Sequence, residues 1–228
     1  MNFKTDLHIH TCDVSKCAHI STEEVVELYI KKGYSTIVIT NHYSKHTFEH
    51  MPDASWQEKN DFYLSAYKKA LSVSAGRINV LLGMEYRNNY TSNDYLVYGM
   101  TEEFIRTNSY DDKHNFLNMH LKEFVKLAHG NNMLVFQAHP FRNGMTIINP
   151  SYLDGIEVLN GHTGHDSRNE IAKQWAQNYN LLICGGSDCH DVGNEATVAL
   201  MNDFSIENNS QLIKVLQQKP IIKIIGEE

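Results

Sequence analysis

Residues 6–10 read Asp6-Leu7-His8-Ile9-His10, the end of a β-strand that begins near residue 4. Phe3, Leu7 and Ile9 are apolar, and side chains alternate along a strand. Leu7 and Ile9 are therefore expected on one side, His8 and His10 on the other. Two imidazoles on one strand face can reach a single metal ion at roughly 2.0–2.2 Å each. A pair of hydrogen-bonded histidines beside a turn has the same spacing, so the choice rests on how later strands end.

Further along, the chain alternates strand and helix. Ser21 and Glu24 form a capping box for a helix that stops at Gly33. Residues 34–40 (YSTIVIT) are a buried strand ending at Asn41-His42, and 43–55 read as a long polar loop. A helix over 56–75 leads to a strand at 78–82 that ends near Glu85. A fourth strand covers 94–99, and a helix covers 113–129. The fifth strand, 133–137, ends at His139-Pro140. Strand six, 155–159, precedes Asn160, and a helix over 167–179 follows. Strand seven, 181–184, runs into Gly185-Gly186-Ser187-Asp188-Cys189-His190, where the glycine pair suits a tight turn. A last helix (209–218) and a short strand (221–225) complete the series. Such alternation implies parallel βα units.

Without linker, repeat or low-complexity tract, 228 residues fit one domain, 1–228. A hydrophobic fraction of 42% suits a globular core. The net charge of −7 argues against a general nucleic-acid or membrane-surface binder, and leaves room for a small nucleotide. The four cysteines form no CxxC pair, and the N-terminus lacks the apolar core of a signal peptide. A reduced, cytoplasmic setting is expected. No apolar run approaches a membrane span.

Candidate ligands recur at strand ends: His8 and His10 on the first, His42 on the second, Glu85 on the third, His139 on the fifth, Asp188 and His190 on the seventh. In (β/α) barrels that rim is where side chains of different strands converge. Imidazole with carboxylate suits Zn, Mn or Fe better than Mg or Ca. A carboxylate can bridge two cations, so Glu85 or Asp188 should bridge while histidines cap single ions. Two or three cations about 3.5–4 Å apart would acidify a water and stabilise a phosphoryl oxygen.

The motifs DLHIHT (6–11), CAHIS (17–21), ITNHY (39–43), GMEY (83–86), QAHP (137–140) and GGSDCH (185–190) resemble, in this order, those of the PHP (polymerase and histidinol phosphatase) superfamily of metal-dependent phosphoesterases. The resemblance spans essentially the whole chain. It implies an α/β fold, a distorted seven-stranded (β/α)7 TIM-like barrel. It also implies that His8, His10, Glu85 and Asp188 bind one cation, that Glu85 bridges to a second held by His139, and that His19, His42 and His190 hold a third. Glu85, Asp188 and His190 would then be central to catalysis. Two departures stand out: Asn41 where an Asp is common, and Met100 near the place of a histidine that many members carry after the fourth strand.

For the substrate, expected to be a small phosphorylated molecule, Arg142 and Arg168 offer guanidinium forks. A surface ion pair is the competing role for Arg168. Asn160 and His162 could contact substrate, and His162 could serve as general acid. Lys16 and Lys45 are weaker rim candidates. An amidohydrolase would also begin with His-x-His, but no strand-end lysine suits the bridging role common there. A metal-loaded but idle binding module is the third reading.

Overall fold

The computed structural model describes residues 3–226, so the expected domain of 1–228 reaches four residues outside them. β1 (Phe3–Ile9) leads through a loop to α1 (Thr22–Lys31). Ser21 caps α1: its Oγ accepts from Glu24 N, and the Glu24 carboxylate accepts from Ser21 N at 2.9 Å. β2 (Thr36–Ile39) and β3 (His42–Tyr43) are two stretches of one bent segment. The expected loop after them holds the short helix α2 (Lys45–Phe48), and then comes α3 (Trp56–Ser74). β4 (Asn79–Leu82) and β5 (Met84–Tyr86) are separated only by Gly83. β6 is Tyr95–Tyr98. The expected helix over 113–129 is shorter, α5 (Leu121–His129), preceded by a 3-10 turn at Phe116–Asn118 and by α4 (Glu102–Asn108). β7 (Leu134–Gln137), β8 (Gly155–Asn160), α6 (Asn169–Asn178) and β9 (Leu182–Gly186) follow. An unforeseen strand, β10 (Val198–Asn202), precedes α7 (Asn209–Gln217) and β11 (Ile221–Ile224).

The fold is α/β with two mixed sheets, ordered β11-β10-β1-β2-β4 and β3-β5-β6-β7-β8-β9. Their ladders do not form a closed all-parallel barrel. β10 runs antiparallel to β1, and β6 runs antiparallel to both β5 and β7. Two links tie the sheets. The bent segments pass from one to the other, and a parallel bridge joins Ile9 to Cys189.

The reversal at β6 has a simple cause. Residues 87–94, between β5 and β6, are too few for a parallel crossover, which needs a dozen or more. Tyr95 therefore lies opposite Tyr86 and Gln137, at the end of the sheet where β5 and β7 finish. Asp94 is brought to the rim, and Met100 goes to the far end. There Met100 is buried in an apolar cluster with Met84, Phe104 and Met133, and its carbonyl accepts from Asn209 Nδ2 at 2.7 Å. The expectation that Met100 stands at a ligand position is thus corrected.

Alternation along β1 also breaks. The β1–β2 register shifts between Asp6 and Ile9. Leu7 packs with Val38, Leu96 and Phe136, whereas Ile9 packs with Val25, Val26 and Tyr29 of α1. The glycine pair makes no turn either. Gly185 and Gly186 lie inside β9, and a Cβ on Gly186 would meet His8 Cβ and N at 2.4 Å. Its missing side chain lets β9 approach β1 closely enough for their rim residues to meet.

Candidate metal centre

His8 and His10 keep a common cluster despite the shift, with their Nε2 atoms 3.0 Å apart. His8 Nε2 lies 3.5 Å from Glu85 Oε1 and 3.4 Å from Asp188 Oδ1. His10 Nε2 lies 3.2 Å from Glu85 Oε2 and 3.4 Å from the same Asp188 oxygen. Ligands at about 2.0–2.2 Å from a tetrahedral ion stand about 3.3–3.6 Å from one another, so this spacing fits a divalent cation. Glu85 also faces His139 Nε2 through Oε1 (3.0 Å) and His42 Nδ1 through Oε2 (2.8 Å). The ligand atoms of His10, His42 and His190 form another group within reach of one ion. Glu85 Oε2 and His139 Nδ1 are buried without an aligned hydrogen-bond partner. Orphaned atoms of this kind fit a site built for a cation.

A layer of buried polar groups aims the rings. His8 Nδ1 bonds Glu157 Oε1 at 2.9 Å, while Glu157 Oε2 accepts from His139 N (2.8 Å) and Asn160 Nδ2 (3.0 Å). Ser15 Oγ donates to Asn41 Oδ1 and faces His10 Nδ1 at 3.2 Å. Both histidines therefore donate through Nδ1, so Nε2 is the nitrogen each turns to the cluster and would offer to a cation once its own proton is released. The amide of Asn41 is engaged at both ends, since Nδ2 donates to Thr11 Oγ1 and Oδ1 accepts from Thr11 N. Asp6 accepts from His8 N and Tyr29 OH on its own side, and from Ser187 N and Oγ beside Asp188. His139 and Asp188 carry φ values of 27° and 50°, backbone strain of the kind that concentrates at functional sites.

Electrostatics favour ionised carboxylates here. Burial pushes Glu85 up, but His42 and His8 outweigh it and hold the carboxyl well below its usual range. Burial likewise opposes ionisation of Asp188, and His8 reverses the balance. His190 is pushed down to about 3 by burial and then by His10, so its ring is neutral at ordinary pH.

The cluster floors an open cavity of about 370 Å³ lined by Arg87, Arg142, His162, Cys17 and Ser44 among others. Arg142 and His162 thus line the space above the cluster. Five expected residues do not. His19 is exposed in its loop and bonds Asp191 Oδ1 at 2.7 Å, outside every ligand group among the described residues. Asn160 is buried behind Asp188, donating to its Oδ2 at 3.0 Å, so it positions a carboxylate rather than touching substrate. Arg168 holds the loop after β7, donating to Phe141 O and to Asn143 Oδ1, which also corrects the ion-pair alternative. Lys16 and Lys45 are exposed and do not line the cavity.

Four residues escaped the sequence reading. Glu157 is one acidic residue in an apolar strand, a signal that was present but without a partner. Arg87 and Asp94 needed the direction of β6. His165, stacked on His162 at 4.4 Å and 3.6 Å from Asp188 Oδ2, needed the course of a loop.

The model of the PHP domain matches residues 6–223. No curated protein matches the chain. Among solved structures, a two-domain protein from Bacteroides vulgatus ATCC 8482, containing a predicted PHP-like metal-dependent phosphoesterase, superposes with a TM-score of 0.67 at 15% identity. That match covers 97% of this chain and 64% of the other, so this chain spans under two thirds of that protein. The lesion-specific endonuclease PfuEndoQ from Pyrococcus furiosus gives 0.58 at 15% identity, covering 99% and 58%. An amidohydrolase from Chromobacterium violaceum with bound sulfate gives 0.54 at 13%, covering 98% of both. At these identities the likeness is one of fold.

Proposed function

The chain belongs to the PHP domain family, and from that premise we propose that it hydrolyses phosphoester bonds of a small phosphorylated metabolite, such as histidinol phosphate or a nucleotide. The observation that carries this reading is the convergence of His8, His10 and Asp188, whose ligand atoms lie 3.0–3.4 Å from one another, on Glu85, which lies 3.2–3.5 Å from both histidines and also faces His42 and His139. His8, His10, Glu85 and Asp188 would hold one divalent ion, and Glu85 would share a second with His139. His42 and His190 remain for a third. The donor set suits Mn, Fe or Zn. Two to three such ions would supply the charge that acidifies a water and stabilises a phosphoryl oxygen.

The protein's own groups do the rest. Glu157 and Ser15 keep the His8 and His10 rings turned to the cluster. Arg142 offers a guanidinium to the phosphoryl group. His162 accepts from Gly164 N through Nδ1, which leaves Nε2 as the donor for a leaving oxygen. The amidohydrolase fold match permits amide hydrolysis, but the guanidinium groups in the cavity favour an anionic substrate. A single domain, a distorted ring of seven strands in which the bent segments each count once, and a cytoplasmic setting belong to the same proposal. No helix among the described residues is long and apolar enough to cross a membrane.

The test is metal analysis of the purified protein beside a panel of phosphate monoesters, diesters and amides with Mn-loaded protein. Ester hydrolysis should be lost in Asp188→Ala while circular dichroism is retained. Near-normal turnover in fully metal-loaded Asp188→Ala, or an amide as the sole substrate, overturns the proposal.

A further inference from the structure

We infer that Arg87 and Arg142, organised by the buried carboxylate of Asp94, form a clamp that selects phosphate monoesters over diesters; this rests on the function proposed above. Asp94 is fully buried at the rim. Arg87 grips it as a fork, Nε to Oδ1 at 2.6 Å and Nη2 to Oδ2 at 2.5 Å. Arg142 Nη2 lies 3.7 Å from the same Oδ2. Asp94 Oδ2 is also 3.9 Å from His139 Nε2, which itself meets Glu85. The two guanidinium groups therefore stand beside the proposed metal centre, in the wall of its cavity.

Asp94 could instead be read as a metal ligand, since its oxygens lie near His42 and Glu85. The fork argues otherwise. Both of its oxygens are engaged by one guanidinium, and bidentate pairs of this kind are strong and directional. Arg87 and Arg142 carry two positive charges against the one negative charge of Asp94, so the wall keeps a surplus for an anion. Arg87 retains Nη1 and Arg142 much of its fork for that purpose. A monoester at neutral pH carries close to two negative charges and three terminal oxygens. A diester has one charge and two such oxygens, and its second ester group would have to pass the same wall.

The test uses the metal-loaded protein with Arg87→Lys, which keeps the charge and loses the fork, and with Asp94→Asn, which keeps the shape and loses the charge. Calorimetry with inorganic phosphate should show binding weakened about 10–100-fold in both. The ratio of kcat/KM for p-nitrophenyl phosphate to that for bis(p-nitrophenyl) phosphate should fall about tenfold or more. Metal content of both variants should match the unaltered protein. Metal lost from Asp94→Asn makes Asp94 a ligand and overturns the clamp, as does an unchanged ratio or unchanged phosphate binding. If the unaltered protein cleaves no phosphoester of the panel, the proposed function fails, and phosphate binding then judges the clamp alone.

Discussion

At His8 the chemistry depends on which nitrogen carries the proton. Glu157 accepts the Nδ1–H hydrogen bond and so turns Nε2 to the cluster, 3.0 Å from its counterpart on His10. Partners of this kind tune metal affinity nearly as strongly as the ligands themselves. Glu157→Gln should keep the fold and weaken metal binding about 10–100-fold, measured by competition with a chromophoric chelator. An unchanged affinity would mean that the ring is held by packing alone. The histidine pair itself was legible in residues 6–10, because strand alternation reports which side chains can share a cluster. Its polar supports were not, because Glu157 and Asp6 act on residues far away in sequence: Asp6 reaches Ser187 across 181 positions. Local pattern carries no record of such a contact. The surroundings of His19 were illegible for a related reason: its motif gives the residue type, while its loop leaves the ring exposed beside Asp191.

The direction of an element decides which of its ends can serve the site. β6 was legible as a strand from its apolar run, but not as an antiparallel one, and its reversal exchanges Met100 for Asp94 at the rim. Met100→His should therefore leave metal stoichiometry unchanged and destabilise the fold by about 1–3 kcal/mol, as a polar ring replaces a buried thioether. Urea unfolding and elemental analysis check the two halves. α1 shows a second device at this scale. Asp13 accepts from Thr22 N and Oγ1 at its first turn and from Lys69 of α3 at 2.8 Å. Burial raises the Asp13 carboxyl, but Lys69 and Thr22 outweigh it and leave its pKa lowered. The unfolded chain then binds the extra proton, so stability from Asp13 is full above the ordinary aspartate value of about 4 and fades as pH falls through the lowered value. Asp13→Ala should cost about 1 kcal/mol at pH 7. The deficit should shrink in urea titrations as pH falls below the ordinary aspartate value of about 4, if the carboxylate is its source.

Across the whole molecule, the two sheets are tied through the residues that would bind metal, so cation binding and global stability should be linked. An ion present at about 100–1,000 times its dissociation constant adds roughly 3–4 kcal/mol to the folded state. For a chain of this size, removal by a chelator should lower the melting temperature by roughly 5–15 °C, with Mn restoring it. Differential scanning fluorimetry checks this, and an unchanged melting curve would detach the cluster from the fold's stability. The Ile9–Cys189 bridge has a consequence for timing. It joins the first strand to the segment after β9, and His8 meets Asp188 only there. During synthesis the histidine pair has no aspartate to complete its cluster until Asp188, 180 positions after His8, has been added. A chain that stops short of Asp188 thus cannot assemble the first proposed cation position.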